Sequence, residues 1–220
     1  MMAMSRRSFL PAGAMRVVVS LLVIGLALAA TGCGGDDDGA DELRGIVRDE
    51  PLVVGDVSVT DATDGATEAE FTFRAEPGEL LVVFFGYTNC PDICPTTLAE
   101  VRAAKRLLGD AAERVDIAMV TVDPDRDVPE VMNGYLNSFS DRFHALRPGS
   151  EEELRTAETA FLASSSVTTQ PDGRIEVVHS ATAYVVDEHG VVVVEWPFGH
   201  GSEAMAGDLE VLFDRMGADA

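Results

Sequence analysis

Two cysteines four residues apart stand in the segment Cys90-Pro91-Asp92-Ile93-Cys94-Pro95. That spacing puts both sulfurs on one face wherever the segment turns helically. The pair lies between a continuous apolar run, Leu81 to Gly86, and an amphipathic stretch that opens near Pro95. The start of a helix presents unpaired N–H groups and a positive dipole end, which favour thiolate over thiol. Cysteines so placed have pKa values lowered to roughly 3.5–7.5, and such thiolates attack disulfides or hold soft metal ions. Two cysteines are too few for a structural zinc or an iron–sulfur cluster, which takes four ligands. Cu(I) accepts two thiolates, and a nearby imidazole would let the site hold Cu(II) as well. From spacing alone, a disulfide, a pair of buried thiols, a redox couple and a copper site all stay open.

The chain has four histidines, His144, His179, His189 and His200. His189 falls in a hairpin turn and His144 in a separate segment, and both read as surface residues. His200, in Phe198-Gly199-His200-Gly201, is an outside candidate for a ligand. Asp123 ends a strand beside Pro124, where a turn-forming carboxylate needs no functional explanation. Met119, Met132, Met205 and Met216 are spread over core-like positions and do not form a methionine-rich copper motif.

The elements around the dithiol follow from periodicity. Leu81–Gly86 and Val115–Asp123 are apolar, β-branched runs expected of strands buried on both faces. Between them a helix should run from about Pro95 to Gly109, with Thr97 and Glu100 as a capping box. Pro51–Val59 and Glu70–Arg74 read as extended pieces, Pro129–Phe139 and Glu151–Ala163 as helices. Ile175–Val178, Thr182–Val186 and Val191–Trp196 read as strands, and Glu203–Met216 as a last helix. Strand–helix–strand followed by a helix, a hairpin and a helix predicts an α/β, thioredoxin-like fold. It has a mixed central sheet flanked by helices and an N-terminal extended or hairpin addition.

The remainder speaks to location. Residues 1–32 contain Arg6, Arg7 and Arg16 and no acid, and an apolar run from Val17 to Ala30 is short of the ~20 residues of a spanning helix. Ala30-Thr31-Gly32-Cys33 resembles a bacterial lipobox, in which Cys33 would receive the lipid. Ser5-Arg6-Arg7-Ser8-Phe9-Leu10 resembles a twin-arginine export signal. Residues 33–42 are an acidic tether, and residues 43–217 the folded domain. With 38 Asp and Glu against 16 Lys and Arg, the net charge of −22 excludes nucleic acid as a partner. The membrane would be met through the lipid anchor, which places the domain on the extracytoplasmic side.

The run Phe85-Gly86-Tyr87-Thr88-Asn89-Cys90-Pro91-Asp92-Ile93-Cys94-Pro95-Thr96-Thr97-Leu98 closely resembles the signature of the Sco/SenC family. Val122-Asp123-Pro124-Asp125-Arg126-Asp127 and Val178-His179-Ser180 add to the match, which extends from about Leu43 to Phe213. The resemblance implies a thioredoxin-like fold with copper on Cys90, Cys94 and His179. It also implies a partner, the copper-site subunit of cytochrome c oxidase, served by copper delivery or by reduction of its cysteines. Other copper chaperones or thiol reductants would be further partners. The competing readings are an extracytoplasmic thiol–disulfide oxidoreductase, in which Cys90 and Cys94 form the redox-active pair, and a copper or redox sensor. Three residues rather than two between the cysteines depart from the usual oxidoreductase motif. No peroxidase motif surrounds Cys90.

Overall fold

The structure is a computed structural model and describes residues 42–65 and 69–218. The leader, Cys33 and nearly all of the acidic tether, which sequence assigned to export and anchoring, lie outside the described residues. Among the described residues no helix is long and apolar enough to cross a membrane.

Nine strands and four α-helices are described. The strands are β1 (Ser58–Asp61), β2 (Ala69–Thr72), β3 (Leu80–Gly86), β4 (Val115–Thr121), β5 (Phe143–Leu146), β6 (Ser165–Thr169), β7 (Ile175–His179), β8 (Ala183–Val186) and β9 (Val192–Trp196). The helices are α1 (Ile93–Leu107), α2 (Pro129–Leu136), α3 (Glu151–Ala160) and α4 (Ser202–Ala218). Seven strands form one sheet in the order β2-β1-β5-β4-β3-β8-β9, while β6 and β7 pair as a separate hairpin. The inner strands β3, β4 and β5 run parallel, and β8 lies antiparallel to β3. All seven residues of β3 are buried, as a strand covered on both faces requires. Helices α1 and α4 pack on each other, α2 packs on β5, and α3 packs on β1. This is the mixed, helix-flanked sheet of the thioredoxin-like arrangement.

The expected N-terminal addition is present at both edges of the sheet. Ile46 bridges to Glu195 and Val53 to Val191, so the entering chain runs along β9 and covers its free edge. The β1–β2 hairpin extends the opposite edge. Gly190 turns the β8–β9 hairpin at φ +75°, and a Cβ there would stand 2.3 Å from Gly55 Cα, so only glycine fits.

Two boundaries differ from expectation in ways that matter for the site. Helix α1 begins at Ile93, two residues before Pro95, and Thr97 is a buried residue within it, not a cap. Proline at the third helical position removes an N–H that has no intrahelical partner, so it does not force the helix to start there. The strand expected over Ile175–Val178 runs one residue further, so that His179 is the last residue of β7. The β6 strand, with the sequence SSVTT, and the four-residue β5 were not anticipated.

Candidate metal centre

Parallel pairing of β3 with β4 puts Gly86 in register with Thr121. The segments leaving these two strands therefore emerge side by side at the carboxyl edge of the sheet, the usual place for a binding site in such folds. The segment after β3 carries Tyr87, Thr88 and Cys90 and enters α1, where Cys94 is the second residue. The β6–β7 hairpin delivers His179 to the same point. The ligand atoms of Cys90, Cys94 and His179 all lie within 4.8 Å of one another. Of the three histidines set aside by sequence, none joins them.

The geometry within the cluster is directional. His179 Nε2 is 3.6 Å from Cys94 Sγ, while its Nδ1 is 2.9 Å from the carbonyl oxygen of Ser180. A carbonyl can only accept, so Nδ1 carries the proton and the Nε2 lone pair faces the sulfur. Fixing one nitrogen so that the other is free is how proteins orient metal-binding imidazoles. Tyr87 packs edge-on against the His179 ring at 5.8 Å. The Cys94 amide N–H donates to Cys90 Sγ at 3.3 Å, so the free donor at the helix start is used by the other cysteine.

Both cysteines are free thiols, and they differ in environment: Cys94 is fully buried and Cys90 half-buried. Sequence reasoning expected the helix terminus to lower the thiol pKa. For Cys94 the opposite holds. Burial pushes its thiol well above the ordinary cysteine value, and the neighbouring Cys90 pushes it further, against an opposing hydrogen bond from the Tyr87 backbone. Desolvation of a thiolate outweighs a half-charge at a helix end.

Space around the sulfur is scarce. A Cβ on Gly86 would come within 2.8 Å of Cys94 Sγ, so a side chain there would displace the thiol. The cleft lined by Phe84, Phe85, Ile93, Cys94, Thr97 and His179 has about 10 Å³ of free space. That is room for about one water-sized particle and none for an organic substrate. Two soft sulfurs, one imidazole nitrogen and ion-sized space fit a soft or borderline metal ion.

The profile of the SCO1/SenC family matches residues 50–214. The chain belongs to the SCO1/SenC family. Among solved structures, Bradyrhizobium japonicum ScoI with copper bound is 31% identical with a TM-score of 0.60, covering 72% of this chain and 98% of that one. The solution structure of apo Sco1 from Thermus thermophilus is 31% identical with a TM-score of 0.64, covering 78% and 98%. The SCO2-like protein RP587 of Rickettsia prowazekii is 33% identical over 117 residues, 51% of this chain and 56% of that protein. The aligned part thus spans little more than half the length of that relative. These neighbours establish the thioredoxin-like fold of this Sco/SenC chain.

Other predicted residues fall elsewhere. His189 is an exposed turn residue, as expected. His200 stacks on Trp196 and lies 3.3 Å from the buried Asp208, away from the thiols. The surface reading of His144 is corrected: it is half-buried and held between Asp61 and Asp116. Its partners come from strands far apart in sequence, which no local pattern reveals. Met119, Met132 and Met205 are core residues and Met216 packs against the core. Asp123 closes β4, its backbone carbonyl accepting from the Arg126 and Asp127 amides and its carboxylate pairing with Arg126.

Sequence reasoning passed over Asp127. It is fully buried and ties the two segments together, accepting from the Thr88 hydroxyl at 2.5 Å, the Thr88 N–H at 3.1 Å and the Thr121 hydroxyl at 2.6 Å. The available signal was a third acid, four residues after Asp123, with one threonine ending β4 and another two residues beyond the end of β3.

Proposed function

We propose that this Sco/SenC protein binds copper through Cys90 Sγ, Cys94 Sγ and His179 Nε2. In this reading it is a metallochaperone assisting assembly of the binuclear copper site of cytochrome c oxidase. The observation that carries the reading is the convergence of two sulfurs with an imidazole nitrogen whose tautomer is already set. The copper-bound Bradyrhizobium relative supports copper as the ion. Copper is cargo here. Two thiolates suit Cu(I), and the imidazole adds the harder donor that Cu(II) accepts.

The unequal burial of the thiols orders their work. Cys90, half-buried, is the sulfur a partner reaches, and Cys94 holds its place on the inner side with His179. Binding requires the Cys94 proton to leave, since the ligand is thiolate. Transfer to a partner would proceed by exchange of Cys90 for a partner cysteine, with Cys94 and His179 following. The same asymmetry supports a second reading, reduction of the partner's disulfide. The Cys90 thiolate would attack a partner sulfur, the other partner cysteine would leave as thiolate, and Cys94 would then displace the first. Two thiols here become a disulfide and the partner's disulfide becomes two thiols. A copper or redox sensor would use the same three residues.

For location, we infer that residues 1–32 direct export, that Cys33 carries the lipid, and that residues 33–42 tether the domain on the extracytoplasmic face of the cell membrane. The basic, acid-free leader and the following acid-rich stretch support this.

Titration of the full chain in detergent with Cu(I) and Cu(II), before and after His179→Ala, tests the proposal. The expected result is one copper per chain, with Cu(II) binding largely lost in the variant. Absence of copper binding while Cys90 and Cys94 still reduce a disulfide would replace delivery with the oxidoreductase reading.

A further inference from the structure

The least compensated charge in the domain lies beside the metal centre. Asp127 has no exposed surface, and its partners are two hydroxyls and one amide N–H, all neutral donors. The Thr88 N–H can only donate, and the Thr121 hydroxyl, which accepts from the Asp123 N–H, is left to donate as well. Arg126, its neighbour in sequence, pairs with Asp123 instead. Asp208 is equally buried but takes donors from Trp196 and from the Arg44 and Gly45 amides, with His200 at 3.3 Å. A buried carboxylate with no cation is costly, and that cost is highest in a chain already rich in acids. The Asp127 carboxylate holds Thr88, two residues before Cys90.

We propose that Asp127 is the buried charge that sets which copper oxidation state the metal centre prefers. Its fixed negative charge steers the Cys90–Cys94–His179 site toward Cu(II) and away from Cu(I). The inference rests on the copper reading above and deepens it. Two thiolates around Cu(I) leave the site with one net negative charge, which Asp127 repels; around Cu(II) the site is neutral. The carboxylate therefore penalises the reduced ion and lowers the reduction potential of the bound couple. It acts through the field at the site and through the Thr88 anchor, and is a positioning residue, not a ligand.

The test uses the full chain in detergent, titrated with Cu(I) and Cu(II) against competing chelators, with the potential of the bound couple read by voltammetry. Asp127→Asn removes the charge at nearly constant shape. Cu(I) affinity is expected to rise about tenfold while Cu(II) affinity stays within about threefold, raising the potential by about 60 mV, the value of tenfold for one electron. Thr121→Val is the control that keeps the charge and removes one hydrogen bond. Its potential should stay at or below that of the unmodified chain. Equal losses of both affinities in Asp127→Asn, with the potential unmoved, would make Asp127 a scaffold residue and overturn the inference. The same holds if Thr121→Val reproduces the Asp127→Asn shift. Should Asp127→Asn fail to fold by circular dichroism, the Thr121→Val potential decides alone: at or below the unmodified value supports the role of the Asp127 charge, and a rise overturns it. If the unmodified chain binds no copper, the copper reading falls and this inference with it; copper binding with an unshifted Asp127→Asn overturns the inference alone.

Discussion

His179 and His144 each stand between two side chains able to carry negative charge, yet the two clusters are in opposite states. His144 lies 3.1 Å from Asp61 and 3.7 Å from Asp116, and Arg142 pairs with Asp116 and Glu79. Burial alone would push its imidazole down, but hydrogen bonds to Asp116 and Asp61 outweigh burial and raise its pKa to about 9. Asp116 and Asp61 are held below the usual carboxylate range, where the hydrogen bonds from His144 oppose burial. Every charge there has an opposite. Around His179 the neighbours are thiols, and the Nε2 lone pair points at a sulfur. That cluster is built from neutral donors and carries no fixed charge of its own. One histidine cluster is completed by the chain's own charges, and the other is a donor set that fits a metal ion.

The sharpest way to break this comparison is to remove one member from each cluster and read metal binding and stability together. Cys94→Ala should weaken Cu(I) binding by more than the 10–100-fold that loss of an outer hydrogen-bond partner costs. Its thermal unfolding should shift little, because a small buried thiol contributes only about 1 kcal/mol of packing. His144→Gln should leave copper binding unchanged in the same competition assay. Equal loss of binding in both variants would mean that the clusters are not independent.

Stability is where His144 should show. The variant is expected to lose about 2 kcal/mol, read from urea unfolding. The loss should depend on pH. A histidine raised to about 9 in the folded state contributes fully below its unfolded value near 6.5, and that contribution fades as pH rises through 9. The depressed Asp61 and Asp116 contribute above their unfolded value of 3.8, and their part fades as pH falls below it. The difference between the unmodified chain and His144→Gln should therefore be largest between about pH 4 and 6.5 and shrink toward pH 9. A flat difference across that range would break the assignment of a charged pair.

The two clusters were unequally legible in the sequence. Cys90 and Cys94 are four residues apart and next to an unmistakable buried strand, so local pattern was enough to locate them. The element order, β3, β4 and the β8–β9 hairpin were legible for the same reason, since long apolar runs have few alternatives. His179 was legible only by resemblance, being 85 residues from its sulfur neighbour. The His144 cluster was illegible, because its closest partner in space, Asp61, is 83 residues away at the end of β1, a strand of four residues. The start of α1 was misplaced because Pro95 was taken to open the helix, though it occupies the third position. The raised Cys94 thiol was missed for a deeper reason. A helix terminus can be read from sequence, whereas the depth at which its second residue lies is set by the packing of α1 on α4 and into the core.

That packing suggests the finest test, at the residue which makes room for the sulfur. Gly86→Ala would add a Cβ 2.8 Å from Cys94 Sγ and 2.9 Å from Phe84 Cε2. In a strand, replacing glycine ordinarily stabilises by about 0.4–1 kcal/mol through the unfolded chain. Overpacking a filled core costs about 1–3 kcal/mol, so the net should be a loss of about 1 kcal/mol. The flexible end of the contact is the thiol, whose χ1 can turn, whereas the Phe84 ring is wedged in the core. The sulfur is therefore the atom that yields, which disturbs its 3.6 Å approach to His179 Nε2. Cu(I) affinity should drop about tenfold with only a small loss of stability, a ratio that His144→Gln reverses. If the stability loss is large and the affinity unchanged, the sulfur has kept its place and the sheet has moved. The inner wall of the site would then be softer than its outer hairpin.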